Sequence, residues 1–259
     1  MRALARLTFL LAAFGLFGWA LLMRPDLPPA ERGRRLAEAS GCFTCHGPGG
    51  IRGVANHGRS DLTVPAFEGD LMMYARDDAE IREWIRDGVT ARKANSVSWR
   101  AARERGALRM PAFGDRFGRA GLEHLVAYVN AMAGRPAPAD SLARAGLERM
   151  AALGCNGCHG PGGRLAPPNP GSLKGYVPSW EGRDFAELVR SRAEFGEWVR
   201  DGVSGRFAKH PVASFFLRRA ALHMPAYRAH LRPGDEDALW AYVTWLRRTP
   251  RDSPPPAAP

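Results

Sequence analysis

Hydrophobic positions follow two different rhythms along the chain. Leu7–Met23 (LTFLLAAFGLFGWALLM) is apolar throughout, carries no charge, and has Thr8 as its one hydroxyl. Its 17 residues, at about 1.5 Å each, would make a helix of roughly 26 Å, the short limit for crossing a bilayer. Arg2 and Arg6 precede it and the Pro-rich RPDLPPA follows. This predicts an uncleaved membrane anchor with its N-terminus in the cytoplasm, in preference to a removed signal segment or a buried core helix. After it, apolar positions fall three and four apart. SRAEFGEWVRDG places Phe195, Trp198 and Val199 on one helix face, with Ser191 and Glu194 as a capping box and Gly202 at the end. DDAEIREWIRDG sets Ile81, Trp84 and Ile85 the same way before Gly88, and Leu122, Leu125, Val126, Val129 and Met132 predict a further helix closed by Gly134. Convincing strand alternation is missing, so the expected class is all-α with long irregular segments.

These patterns occur twice. GCFTCHGPGG at 41–50 returns as GCNGCHGPGG at 154–163, and VPAFEG at 64–69 as VPSWEG at 177–182, both displaced by 113. EWIRDGV (83–89) and EWVRDGV (197–203) are displaced by 114, as are LRMPAF (108–113) and LHMPAY (222–227), and LVAYVN (125–130) and LWAYVT (239–244). Two copies of one domain, 30–134 and 141–249, are therefore predicted behind an N-terminal segment, 1–25. GRPAPADS (134–141) reads as a linker and 250–259 as a disordered Pro-rich tail. Two copies favour a pair of globules over a solenoid, which needs more repeats.

A chain of 259 residues, 45% of them hydrophobic, can build a core without disulfide staples. Lys and Arg outnumber Asp and Glu by 37 to 26, and the net charge of +11 favours acidic partners, anionic lipid or nucleic acid without choosing among them. The four cysteines are more specific. Cys42 with Cys45, and Cys155 with Cys158, are C-x-x-C pairs, each followed at once by a histidine, His46 or His159. C-x-x-C-H is the pattern of covalent haem attachment: two thiols add to the vinyl groups of one porphyrin and the histidine reaches its iron. Cysteines three apart on a helical turn face the same edge of the ring. A four-ligand zinc site would have to join pairs 113 residues apart and would leave both histidines over. A thioredoxin-like redox pair lacks its βαβ setting. With all four cysteines used, no structural disulfide is expected.

In CFTCH, CNGCH, RMPAF and HMPAY the chain resembles the c-type cytochromes, and specifically a diheme protein made of two tandem domains like the small single-haem members. The resemblance covers both copies. It implies two covalently bound haem c groups, on Cys42 and Cys45 and on Cys155 and Cys158. It also implies helices wrapped around each haem, with an N-terminal helix crossing the last one. Gly33 and Gly146 lie nine residues before the first cysteine of each copy and, with Tyr128 and Tyr242, would supply the small residue and the ring of such a crossing. His46 to Met110 spans 64 residues and His159 to Met224 spans 65, longer than in compact members, so the added loop and Trp helix are left without a role.

Of the eight methionines only Met110 and Met224 recur, each before a proline and an aromatic, which makes them the expected sixth ligands opposite His46 and His159. His223, adjoining Met224, is the rival at the second iron. The remaining histidines do not recur. Trp84 and Trp198 recur and read as packing. Arg92, Lys93, Arg100, Arg103, Arg105 and Arg109 lead into the Met110 loop, and Arg206, Lys209, Arg218 and Arg219 repeat the run more weakly. Such a run is read as a solvated face, or as one that steers an acidic redox partner or neutralises haem propionates. The expectation is thus a tethered diheme electron carrier on the periplasmic side of a bacterial inner membrane, soluble there if the segment is cleaved. It would pass single electrons between a respiratory donor and an acceptor, with no catalytic residues, no small-molecule substrate and no nucleic acid. A haem subunit of a larger membrane oxidoreductase and a diheme peroxidase are the alternatives.

Overall fold

The computed structural model describes residues 27–69 and 71–249, together with Arg6, Phe14, Gly15, Gly18 and Pro25. The chain is helical and, among the described residues, its only strand-like pairings are two isolated bridges, Ala55 with Thr63 and Pro168 with Tyr176. Among the described residues fourteen α-helices follow one another: α1 Pro29–Ala39, α2 Cys42–His46, α3 Leu71–Tyr74, α4 Asp78–Asp87, α5 Ala91–Ala94, α6 Val97–Arg105, α7 Gly118–Met132, α8 Ser141–Ala152, α9 Asn156–His159, α10 Arg183–Leu188, α11 Arg192–Asp201, α12 Gly205–Lys209, α13 Pro211–Arg219 and α14 Asp235–Arg248. No described helix is long and apolar enough to cross a membrane. The expected anchor, Leu7–Met23, lies outside the described residues except for Phe14, Gly15 and Gly18.

Local chemistry sets the helix ends. Asp77 caps α4 and Ser191 caps α11, each accepting from the amide of a glutamate three residues on, Glu80 at 2.9 Å and Glu194 at 3.1 Å. The capping box is modified, because both glutamates reach one residue further back than the cap, Glu80 to the Arg76 amide and Glu194 to the Arg190 amide. Gly88 and Gly202 end the same two helices in the left-handed conformation, at φ 68° and 74°.

The described chain divides into two compact units. One holds Leu27–Ala166, Ser179–Glu181 and the stretch from Arg232 to the end of α14; the other holds Pro167–Pro178 and Gly182–Leu231. In the first, α1 crosses α7 and α8 crosses α14. The boundary between the two sequence copies falls inside this unit, and Leu165 from the second copy is buried in the same core cluster as Ala37, Leu125, Tyr128 and Val129 from the first. The second unit carries α10 to α13, with Phe185, Phe195, Trp198 and Val199 buried.

Both crossings are close enough to exclude a side chain. A Cβ on Gly33 would overlap the His124 carbonyl and lie 2.8 Å from the Tyr128 Cβ, and one on Gly146 would overlap the Ala238 carbonyl and lie 2.8 Å from the Tyr242 Cβ. Each tyrosine then hands its hydroxyl hydrogen to a carbonyl beside a C-x-x-C-H motif, Tyr128 to Gly49 and Tyr242 to Gly162, both at 2.8 Å. Gly33→Ala is expected to force α1 off α7 and to destabilise the fold by about 1–3 kcal/mol, seen as a lower midpoint of thermal unfolding. Gly205→Ala, whose Cβ would meet nothing closer than a Glu197 oxygen at 3.6 Å, should leave the midpoint nearly unchanged.

Candidate functional site

Cys42, Cys45 and His46 sit on α2, one and a half turns of helix that starts behind the left-handed Gly41, φ 76°. Cys155 precedes α9, which carries Cys158 and His159 and starts behind Gly154, also at φ 76°. All four cysteines are half-buried, and none is in a disulfide. Burial pushes the Cys42 thiol above its ordinary value. His46 Nδ1 donates to the Pro65 carbonyl at 2.9 Å, which fixes the tautomer and leaves Nε2 as the nitrogen with a free lone pair. Burial pushes this imidazole below its ordinary value, against the pull of that carbonyl, so the ring is neutral at pH 7, the form in which it can ligate iron. Rings back both histidines: Phe67 lies 4.7 Å from His46 and Trp180 lies 5.2 Å from His159, centroid to centroid. Among the described residues, no group of three or more His, Cys, Asp or Glu side chains is placed to hold a metal ion, so the two cysteine pairs do not assemble a zinc site.

Met110 belongs to the first unit with His46 and packs half-buried against the core cluster that also takes Cys42, Phe43, Phe67 and Trp84. Met224 lies in the second unit and is half-buried, while its neighbour His223 is exposed. Sequence reading missed what holds the methionine loops. Asn56 is buried and grips the main chain of Leu108 from both sides, donating to its carbonyl at 3.1 Å and accepting from its amide at 2.8 Å. Asn169 does the same to Leu222 at 3.0 and 2.8 Å. Each clamp therefore fixes the residue two before the methionine. The pairing was visible in the sequence, since Asn56 and Asn169 recur at the displacement of 113.

The Trp helices acquire a role here. Gly88, at the end of α4, lies against the Met110 carbonyl, and Phe113 and Gly114 donate their amides to Ile85 and Arg86 on α4. Gly202 lies against the Met224 carbonyl, and Tyr227 donates to Val199 on α11. Each Trp helix is thus a platform for a methionine loop. Its tryptophan points the other way along the helix, Trp84 donating to the Tyr74 carbonyl at 2.9 Å and Trp198 to the Leu188 carbonyl at 3.1 Å. A buried carboxylate ties each platform down. Glu80 takes Arg76 and Arg92, at 2.9 and 2.7 Å, and Glu194 takes Arg206 at 2.8 Å and the Ser204 hydroxyl at 2.9 Å. Arg92 and Arg206 are therefore structural ion-pair partners, and Lys93 is buried. Of the first basic run, Arg92, Arg100, Arg105 and Arg109 are exposed.

The donor set suits a covalently attached haem: half-buried thiols outside any disulfide, a neutral histidine with Nε2 available, and a methionine held at the same core. The family described as cytochrome C oxidase, cbb3-type, subunit III matches residues 28–129. Residues 28–129 are thus similar to a c-type cytochrome domain. The match takes in α1, the C-x-x-C-H helix α2, the Met110 loop and most of α7. No curated protein and no solved structure matches the chain. That match supports a haem electron-transfer role, with covalently bound haem c and redox proteins as partners.

Two outcomes follow from the site's framework. Asn56→Ala leaves the Leu108 amide and carbonyl without partners, which should lower stability by about 1–3 kcal/mol and remove hydrogen-exchange protection at the Leu108 amide. Glu80 is held down to about 2 by hydrogen bonds from Arg92 first, its burial working the other way. Because the folded value is depressed, its contribution is complete above the ordinary 4.5 and is lost as pH falls toward about 2. The stability gap between the protein and its Glu80→Gln variant, measured by denaturant titration, should shrink across that window.

Proposed function

We propose that the protein carries two haem c groups in two tandem domains, 30–134 and 141–249, behind a periplasm-facing inner-membrane anchor. In this reading Cys42, Cys45, Cys155 and Cys158 form the thioethers, His46 and Met110 ligate the first iron, and His159 and Met224 the second. Haem iron, when bound, takes up and releases one electron. The protein's part would be to offer a histidine and a methionine to that iron and to hold both rigid. Pro65 orients His46, while Asn56 and the α4 platform fix the Met110 loop. With both faces filled, single-electron transfer is favoured over peroxide chemistry, which needs a vacant or displaceable position.

What supports the two-haem reading is the recurrence in each copy of the same local contacts. The tyrosine hydroxyl to the loop carbonyl, the asparagine clamp and the Trp platform occur in both copies. Spectroscopic quantification of haem in matured protein should give two per chain, falling to one when Cys155 and Cys158 are both replaced by serine. The reduced protein should bind carbon monoxide at neither iron. One haem in the parent protein ends the diheme reading, and clear binding at either iron turns it toward the peroxidase.

The description of the matched family, an oxidase subunit, favours a second reading, that of a haem subunit within a larger membrane oxidoreductase. Exposed Arg100, Arg105 and Arg109 beside the Met110 loop would then meet acidic groups of a neighbouring redox protein. Mild detergent extraction separates the two: co-migration with an oxidase core supports the subunit, and migration alone supports the free carrier.

A further inference from the structure

Where the start of α8 meets the end of α14 there is an open cleft of about 600 Å³, lined by Asp140 and Ala143 on one side and by Trp240, Thr244, Trp245 and Arg248 on the other. All of these residues belong to the first unit, and both indoles are half-buried. Trp245 stacks on Tyr242 at 5.7 Å between ring centres, and the Tyr242 hydroxyl is the one that reaches Gly162. The first copy closes the same stretch of helix. There Val126 and Ala131 on α7 stand at the positions of Trp240 and Trp245, each 2% exposed within the core cluster. The second copy therefore sets two large rings where the first has smaller buried side chains, and leaves them beside an open cleft. Apolar surface of that size in water is unfavourable, so a segment that covers it is favoured.

The cleft is long and narrow enough to suit an extended segment. From Trp240 to Thr249, which also lines it, α14 rises through nine residues, about 14 Å. Four residues of polyproline helix, at about 3.1 Å each, cover about 12 Å. Segments of that form dock in aromatic-lined grooves, because their conformation is set before binding and little freedom is lost. The chain supplies one beside the cleft. Thr249 ends α14 in an extended conformation, φ −69° and ψ 115°, and its hydroxyl donates to the Trp245 carbonyl at 2.9 Å. The sequence continues PRDSPPPAAP, in which Pro256 and Pro259 have P-x-x-P spacing. Residues 250–255 are long enough to reverse direction, and they bring Arg251 and Asp252 to a rim that carries the opposite charges of Asp140 and Arg248.

We propose that this cleft is a proline-binding groove and that its occupant is the chain's own Pro254–Pro259 segment, returning over α14 in polyproline form. Docked there, the segment covers Trp240 and Trp245 and backs the Tyr242 ring that fixes the loop after the second C-x-x-C-H motif. The groove is then filled in the resting protein, and a proline-rich segment of another protein gains it only by exchange. The inference is independent of the number of haems.

The test is calorimetric titration of the full chain with the synthetic peptide RDSPPPAAP. A variant carrying Pro254→Ser, Pro255→Ser, Pro256→Ser and Pro259→Ser, all beyond α14, should bind one peptide per chain. The parent should bind it at least about tenfold more weakly, because its own segment competes at an effective concentration of the order of mM. Trp240→Ala added to the serine variant should abolish binding. Thr244→Arg, which fills the cleft and keeps both indoles, should do the same and decides if the tryptophan change does not fold. Equal binding by the parent and the serine variant overturns the occupant. Absence of binding to the serine variant, or binding that survives both cleft changes, overturns the groove. In sedimentation the parent should be no more associated than the serine variant; a parent that self-associates through its prolines puts the segment of a second copy in the groove and overturns the return within one chain.

Discussion

The contact on which the rest depends is the crossing of α1 over α7 at Gly33. Backbone meets backbone there, and only a residue without a side chain permits it. Because the helices approach so closely, Tyr128 is buried in the crossing and its hydroxyl reaches the Gly49 carbonyl, in the loop that follows the C-x-x-C-H helix. A separation larger by one methyl group would take the tyrosine out of hydrogen-bond range and release the loop. Gly146, Tyr242 and Gly162 repeat the arrangement where α8 crosses α14. Helix packing thus places the loop after the motif, and the bond from His46 to the Pro65 carbonyl orients the ring.

The methionine side is built by a different principle. Loops of this length lose much conformational freedom when fixed, and few apolar contacts are available to offset that loss. Polar groups do the fixing. A buried asparagine satisfies donor and acceptor of one peptide unit, and the end of the Trp helix supplies carbonyls for the residues after the methionine. The helix is itself anchored through a glutamate that is 5% exposed and answered by two arginines. Breaking any link leaves an unpaired buried polar group, so the cost falls on the loop as a whole and not on one bond.

Much of this was legible in the chain. The helical class, the capped Trp helices ending at Gly88 and Gly202, and the glycine–tyrosine crossings all follow from local chemistry or from spacing, and all are present. The clamp was overlooked for a physical reason. An asparagine in an irregular segment carries no periodicity, and its partners lie 52 residues away, where only the folded chain brings them. One residue of the basic run departs from the solvated face for the opposite reason. Lys93 looks exposed in sequence because charge usually is, yet it is folded inward over two aromatic rings.

That last difference bears on what a repeat keeps and what it changes. Crossing tyrosines, asparagine clamps and Trp platforms recur in both copies, whereas Lys93 stands against Phe207 and Trp99 against Ala213. The recurring groups hold main chain: replacing any of them leaves a buried donor or acceptor unpaired or forces two helices apart, so the two copies are constrained to keep them. The differing positions make side-chain contacts that another side chain can replace, as Phe207 does by packing on Trp198. Backbone geometry is therefore constrained to be alike in the two copies, while the side chains around it are free to diverge.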